Sequence, residues 1–275
     1  ELVLHNGKDP LSGVQLGVET GDAELFDDFD QILQAVDRQI AHFVDRGLTG
    51  HRISASMFTE ISPLPLQSCF IDDCIERGKD LQSGGARYST NALLPVGTVD
   101  LGNSLAAIKK LVFEEKRFTI KDLKKALAAN FEGDGYAEIG LMCQRAPKYG
   151  NDDDYVDSLV EHCYSVFASE HLKHRDALGN IAHPESYSVT NHNSFGLRCG
   201  ALPCGRKAQL PFADGTTSAY PGTDVNGPTA LIRSAVRVMD IGEWGSNHTN
   251  MKFHPSTIAG TEGASSLLAL IKTYC

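Results

Sequence analysis

The residues with most to offer chemically in this 275-residue chain are seven cysteines, ten histidines and 26 glycines. The thiols stand at Cys69, Cys74, Cys143, Cys163, Cys199, Cys204 and Cys275. None forms a CxxC pair. Cys69/Cys74 and Cys199/Cys204 have a spacing that suits a tetrahedral metal site poorly. An odd count in a chain long enough to build a core argues against a disulfide framework, so small, buried, reduced thiols are expected. His171 and His174, with His183 further on, lack a second ligand pair, and loop or surface histidines are the better reading there. Gly133-Asp134-Gly135 misses the third glycine of a dinucleotide fingerprint, and no GxxxxGK[ST] phosphate loop is present. Asp214-Gly215-Thr216 begins like a calcium loop but lacks the alternating ligands and closing glutamate. No metal site is expected.

Polar side chains on stretches that look extended say more. Ser186 to His192 alternates like a strand, with Tyr187 and Val189 on one face and Ser188, Thr190 and His192 on the other. Met251-Lys252-Phe253-His254 reads as a second short strand, with Asn250, Lys252 and His254 on one face. Such a face is either solvated or aimed into the lumen of a barrel whose outside is covered by helices. Both readings remain open on the residues alone.

The elements that would position these faces are mostly helical. Phe29, Ile32, Leu33, Val36, Ile40 and Phe43 recur at helical spacing behind Asp27 and Asp28, whose charge suits a helix start. Pro63 and Pro65 precede a short helical segment through Cys69 and Ile75. Asn103 or Ser104 is expected to cap a helix with Leu105, Ile108, Leu111 and Val112 on one face. Thr119 and Asp122 form a capping-box pattern. Asn151 is the expected cap of a helix whose buried stripe is Val156, Leu159, Val160, Cys163 and Phe167. After a long glycine-rich loop, Pro228 opens a helix with Leu231, Ile232, Ala235 and Val238 inward. Thr261 is expected to cap the last helix, through Leu267, Leu268 and Ile271. Short strands between helices predict an α/β architecture in one domain over residues 1–275.

Composition bounds the function. With 25 Lys+Arg against 35 Asp+Glu, the net charge is 25 − 35 = −10, and no basic cluster marks a nucleic-acid surface. Hydrophobic residues at 41% and charged residues at 22% describe an ordinary globular chain. No apolar run is long enough for a membrane helix. No basic-then-apolar signal segment opens the chain, so a cytoplasmic location is expected and the Asn247-His248-Thr249 sequon is read as chance.

Several motifs occur in a telling order. Gly84-Gly85-Ala86-Arg87-Tyr88 is followed by Asn103-Ser104-Leu105-Ala106-Ala107-Ile108-Lys109-Lys110 with Val112-Phe113-Glu114-Glu115. Asn130-Phe131-Glu132-Gly133 and Pro147-Lys148-Tyr149-Gly150-Asn151-Asp152 come next. Pro203-x-Gly205-Arg206, Ala213-Asp214-Gly215, Gly222-Thr223-Asp224-x-Asn226-Gly227-Pro228-Thr229-Ala230 and Asn250-Met251-Lys252-Phe253-x-Pro255 complete the series. This succession resembles the glycyl radical enzymes of the pyruvate formate-lyase-like family and covers nearly the whole chain.

The resemblance implies the second half of a helix-wrapped α/β barrel of the pyruvate formate-lyase-like type. It also implies a post-translational glycyl radical that passes its spin to a cysteine thiyl, with no other cofactor bound directly. A thiyl radical attacks C–H bonds, so the chemistry requires a lumen that excludes water and oxygen. The family's cysteine loop lies upstream of a segment like Glu1-Leu2-Val3-Leu4, and its glycine loop lies downstream of one like Leu267 to Cys275. The resemblance therefore assigns no catalytic residue within this chain, which is expected to be an inactive fragment by itself. Where Cys204 stands the family usually has aspartate.

Tyr88, Asn91, Thr190, His192 and Lys252 are the substrate-cavity candidates the resemblance implies. The alternative for His192 is a hydrogen-bonded residue beneath the Gly196–Gly200 loop. The implied partners are a small-molecule substrate, a radical S-adenosylmethionine activating enzyme and a second copy in a homodimer; nucleic acid and membrane are not expected. Glu1 to Asp9 and Ser218 to Asp224 look similar to arylacetate decarboxylases. Leu94, where a phenol-binding glutamate would align, speaks against a phenolic substrate. Diol, choline and hydroxyproline lyases fit the other motifs equally, and fumarate-adding synthases fit as well. A non-catalytic α/β binding or interaction domain built on the same barrel is the alternative.

Overall fold

The computed structural model describes residues 1–89, 93–239, 244 and 246–274; Asn91 and Cys275 lie outside them. Helices dominate. The first, α1 (Phe29–Ile61), opens with a reciprocal cap in which Asp28 accepts from the Gln31 amide and the Gln31 side chain accepts from that of Asp28. Ile32, Val36, Val44 and Leu48 are its buried stripe, while Phe43 is exposed because Val44 takes the inward place. Two single turns follow, α2 (Pro65–Ser68) and α3 (Cys74–Arg77).

Next in the chain, α4 (Thr98–Ile108) is enclosed on almost every side. It begins after Gly97, whose φ of +84° is a turn conformation that glycine adopts at little cost. Asn103 and Ser104, expected as caps, therefore lie inside the helix and are buried. The helix runs without a break into a π-helical turn, Lys109–Glu114, marked by the Glu115 amide donating to the Lys110 carbonyl at 2.8 Å. In that turn the Lys109 ammonium lies 5.7 Å from the Phe29 ring centre and 4.8 Å from that of Tyr155.

After the turn come α5 (Ile120–Ala128), with the Thr119/Asp122 capping box in place, and α6 (Tyr136–Arg145), which packs on it. The cap of α7 (Asp154–Leu172) is Asp153, not Asn151. Asn151 instead donates to the carbonyls of Lys148 and Thr223 and accepts from the Asn226 amide, tying two loops together. The last three helices are α8 (Asn191–Gly196), α9 (Pro228–Val238), with Pro228 in its first turn, and α10 (Gly260–Tyr274), which contains Thr261 rather than being capped by it.

Helix α7 is the hub on which α1, α4 and α9 all pack. The shared core includes Val99, Leu105, Val156, Val160, Tyr164 and Leu231. Close approach of α4 and α7 depends on Gly102, where a β-carbon would meet the Val160 Cα at 3.2 Å. At the far end of α7, His171 is fully buried: its Nδ1 lies 3.1 Å from the Ala182 carbonyl and its Nε2 accepts from the Leu93 amide at 3.0 Å. That arrangement needs a neutral ring, and burial lowers its proton affinity. Below pH 6.5 the unfolded chain takes up the proton first, so this contribution is present at neutral pH and lost on acidification. Chemical denaturation of the full-length protein from about pH 7.5 to about pH 5.5 should cost the wild type about 1 kcal/mol more than His171→Gln. Equal pH slopes would refute this.

The two expected strands are not formed. Among the described residues strand pairing is limited to isolated bridges, one of them parallel between Ser186 and Asn247. The stretch from Ser186 stops being extended at Val189, whose φ of +48° belongs to a turn. Residues 191–196 then coil into α8, so His192 sits in a helix rather than at a strand end. Ser188 is buried and Thr190 exposed, so they share no face. Residues 251–254 are irregular, and His254 caps a short 3₁₀ turn through the Ser256 amide.

Candidate functional site

Three segments, 186–188, 214–218 and 247–250, lie side by side without a regular ladder, the middle one turning at residues 215–217. Thr216 and Thr217 donate their amides to the His248 carbonyl at 3.0 and 3.3 Å, and the Asn250 amide donates to Ser218 Oγ at 2.8 Å. On the other side the Thr216 hydroxyl donates to the Ser186 carbonyl at 2.5 Å. The Tyr149 and Tyr164 hydroxyls, both buried, donate to the carbonyls of Thr217 and Thr216 and anchor the middle segment to the helices. Thr190 and His192 follow the first segment and Lys252 the third.

Taken singly, the candidates have few partners. Tyr88 is 88% exposed. Thr190 is exposed, while His192 is half-buried with Nδ1 3.4 Å from Ser188 Oγ. The Lys252 side chain is 85% exposed, its Nζ 4.0 Å from Asp214 Oδ2. The His192 carbonyl accepts from the Phe212 amide at 3.1 Å, which ties α8 to the glycine-rich loop. The structure thus gathers the segments that carry Thr190, His192 and Lys252 around residues 214–218. It shows no contact that joins these side chains to one another or to Tyr88.

A second, buried polar centre went unnoticed in the sequence. α4 turns Asp100, Asn103 and Ser104 toward the loops after α6 and α8. Asp100 Oδ2 accepts from the Ala213 amide at 2.8 Å, whereas buried Oδ1 has no partner among the described residues. Burial pushes this carboxyl up to about 6, opposed by the Ala213 amide and the Arg206 charge. Asn103 Oδ1 accepts from the Tyr149 amide at 2.8 Å. Ser104 Oγ accepts from the Cys204 amide at 3.3 Å. Arg206 is buried, stacks at 4.6 Å on Phe212, and donates to the carbonyls of Cys199, Gly200, Lys207 and Leu210. Lys148 Nζ donates to the carbonyls of Cys143 and Ala146, both at 2.8 Å, at the end of α6. Polar residues at positions i, i+3 and i+4 of an otherwise apolar helix were the available signal for this centre.

The thiols here are packing groups. Burial raises Cys143, Cys163 and Cys199 to about 12 and Cys204 to about 11, so they are protonated at neutral pH rather than thiolate nucleophiles. Among the described residues no three His, Cys, Asp or Glu side chains come together as metal ligands. No helix among the described residues is long and apolar enough to cross a membrane. What the centre does is fix backbone: it locks residues 199–213 onto α4 beside a cavity of about 390 Å³.

What these packed helices and their buried polar ties belong to is settled by comparison with known proteins. The pyruvate formate lyase-like family model matches residues 1–196, and the chain belongs to that family, that of the glycyl radical enzymes. It is 38% identical over its whole length to trans-4-hydroxy-L-proline dehydratase of Clostridioides difficile, of which it covers 34%. It is 33% identical to indoleacetate decarboxylase of Tractidigestivibacter scatoligenes, covering 33% of that protein. The solved glycerol dehydratase of Clostridium butyricum superposes on 99% of the chain with a TM-score of 0.93 at 36% identity, and 34% of that enzyme is covered. The chain therefore spans about a third of the length of the relatives it matches.

Proposed function

We propose that this chain is the second half-barrel and its helical jacket in a glycyl radical lyase of the dehydratase kind, one that removes water from a small hydroxylated substrate. The observation that carries this reading is agreement over the whole chain with two solved dehydratases, at TM-scores of 0.93 and 0.94 and 36% and 37% identity. A glycyl radical would supply hydrogen-atom abstraction through a cysteine thiyl, and the resemblance in motif order implies that both lie outside this chain. What this chain contributes is the wall. Residues 186–188, 214–218 and 247–250 are three of its staves, pinned from outside by Tyr149 and Tyr164. Tyr88, Asn91, Thr190, His192 and Lys252 are the proposed lining toward the substrate, and the exposure of Tyr88, Thr190 and Lys252 supports this by leaving them free to meet it. The activating partner is a radical S-adenosylmethionine enzyme, the assembly a homodimer and the compartment the cytoplasm.

The test is anaerobic activation of the full-length protein, followed by paramagnetic resonance and product analysis. The expected results are a glycyl doublet and water loss from one of trans-4-hydroxy-L-proline, glycerol or 1,2-propanediol. A doublet with decarboxylation of an arylacetate instead would overturn the dehydratase reading. The absence of any doublet after activation would favour a binding domain that has kept only the barrel.

A further inference from the structure

The cavity beside the buried polar centre carries charge of one sign only. Lys148, Arg206 and Lys207 line it, and no aspartate or glutamate does. Asn103, Tyr220 and Pro221 also line it. Arg206 directs its terminal N–H groups to loop carbonyls, and Lys207 Nζ lies 3.5 Å from Glu132 at the rim. Lys148 is different. Two of its three ammonium hydrogens meet carbonyls, no carboxylate pairs with it among the described residues, and burial lowers its proton affinity. Asn103 is 1% exposed. Its Oδ1 is taken by the Tyr149 amide, which turns Nδ2 into the donor Asn103 can offer to the cavity it lines.

A partly desolvated ammonium and an amide donor line the same cavity as a second lysine, donors that suit an anionic acceptor. An anion there would offset the cost of holding Lys148 charged away from water. We propose that this cavity binds a small oxyanion, a phosphate or sulfate group either free or carried on a small metabolite, gripped by Lys148 Nζ and Asn103 Nδ2 and drawn in by Lys207. A volume of about 390 Å³ leaves room for a short organic tail beside the oxyanion. None of Tyr88, Thr190, His192 and Lys252 lines this cavity, so binding there can be read on unactivated protein.

Calorimetric titration of the full-length, unactivated protein with inorganic phosphate, at constant ionic strength in chloride, tests it. Saturable binding is expected. Lys148→Met should weaken it about tenfold or more, Lys207→Glu about threefold, and Lys252→Gln not at all. Glycerol phosphate binding more tightly than inorganic phosphate would assign the site to a phosphorylated metabolite; equal affinities would assign it to the free ion. Lys148 also holds the end of α6, so a poorly folding Lys148→Met shifts the decision to Lys207→Glu. No saturable binding, or wild-type affinity in whichever of these two variants folds, would overturn the proposal. Neither result bears on whether the activated protein removes water.

Discussion

Gly102→Leu is expected to lower the stability of the full-length protein by about 3 kcal/mol or more, with the loss concentrated where α4 meets α7. The reason is backbone proximity. A β-carbon at residue 102 already comes within 3.2 Å of the Val160 Cα, and Val160 is fully buried, so neither side can step aside. The remaining leucine atoms would have to separate the two helices, exposing Val99, Leu105 and Val156. Gly102→Ala should cost less, because improved helix propensity returns about 1 kcal/mol. Hydrogen exchange gives the local readout: amides of α4 and α7 should lose protection before those of α5 and α6. Unchanged protection in the leucine variant would show that the helices are not held at this distance.

Arg206→Met is the second large effect, with an expected loss of about 4 kcal/mol. One guanidinium holds the carbonyls of Cys199, Gly200, Lys207 and Leu210, so its removal leaves several acceptors unpaired at once. It also strips the nearest positive charge from buried Asp100, whose carboxyl then gains further proton affinity. Arg206→Lys is not expected to rescue stability, since a lysine lacks the planar fork that reaches four carbonyls. Asp100→Asn added to Arg206→Met should recover part of the loss by removing the uncompensated charge. Simple additivity of the two substitutions, measured by chemical denaturation, would show that the carboxylate and the arginine do not interact.

The helices were legible in sequence because their burial is periodic. Val156, Leu159, Val160 and Cys163 are buried as the spacing predicts, with Phe167 half-buried at the end of that stripe, and so are Leu231, Ile232, Ala235 and Val238. Helix starts were harder to read. Asn103, Ser104 and Asn151 have capping chemistry, yet the first two serve the interior of α4 and the third joins loops, because tertiary partners outbid local ones. The strands failed for a related reason. Alternation from Ser186 to His192 holds only while each residue is extended, and a turn at Val189 reverses the phase of everything after it. The buried Asp100–Arg206 centre was hidden because its partners are about a hundred residues apart in sequence and most of its bonds end on carbonyls, which residue type does not reveal.

The π-helical turn at Lys109–Glu114 gives the protein a place to change length. Its wider loops hold one residue more than an α-helix would use, a stored insertion rather than a disturbance. Loss of one residue from this stretch would tighten it into continuous α-helix and leave the Thr119 cap of α5 to start the next helix independently. Over evolutionary time, single-residue gains and losses between α4 and α5 are therefore expected to collect here rather than within the packed length of α4.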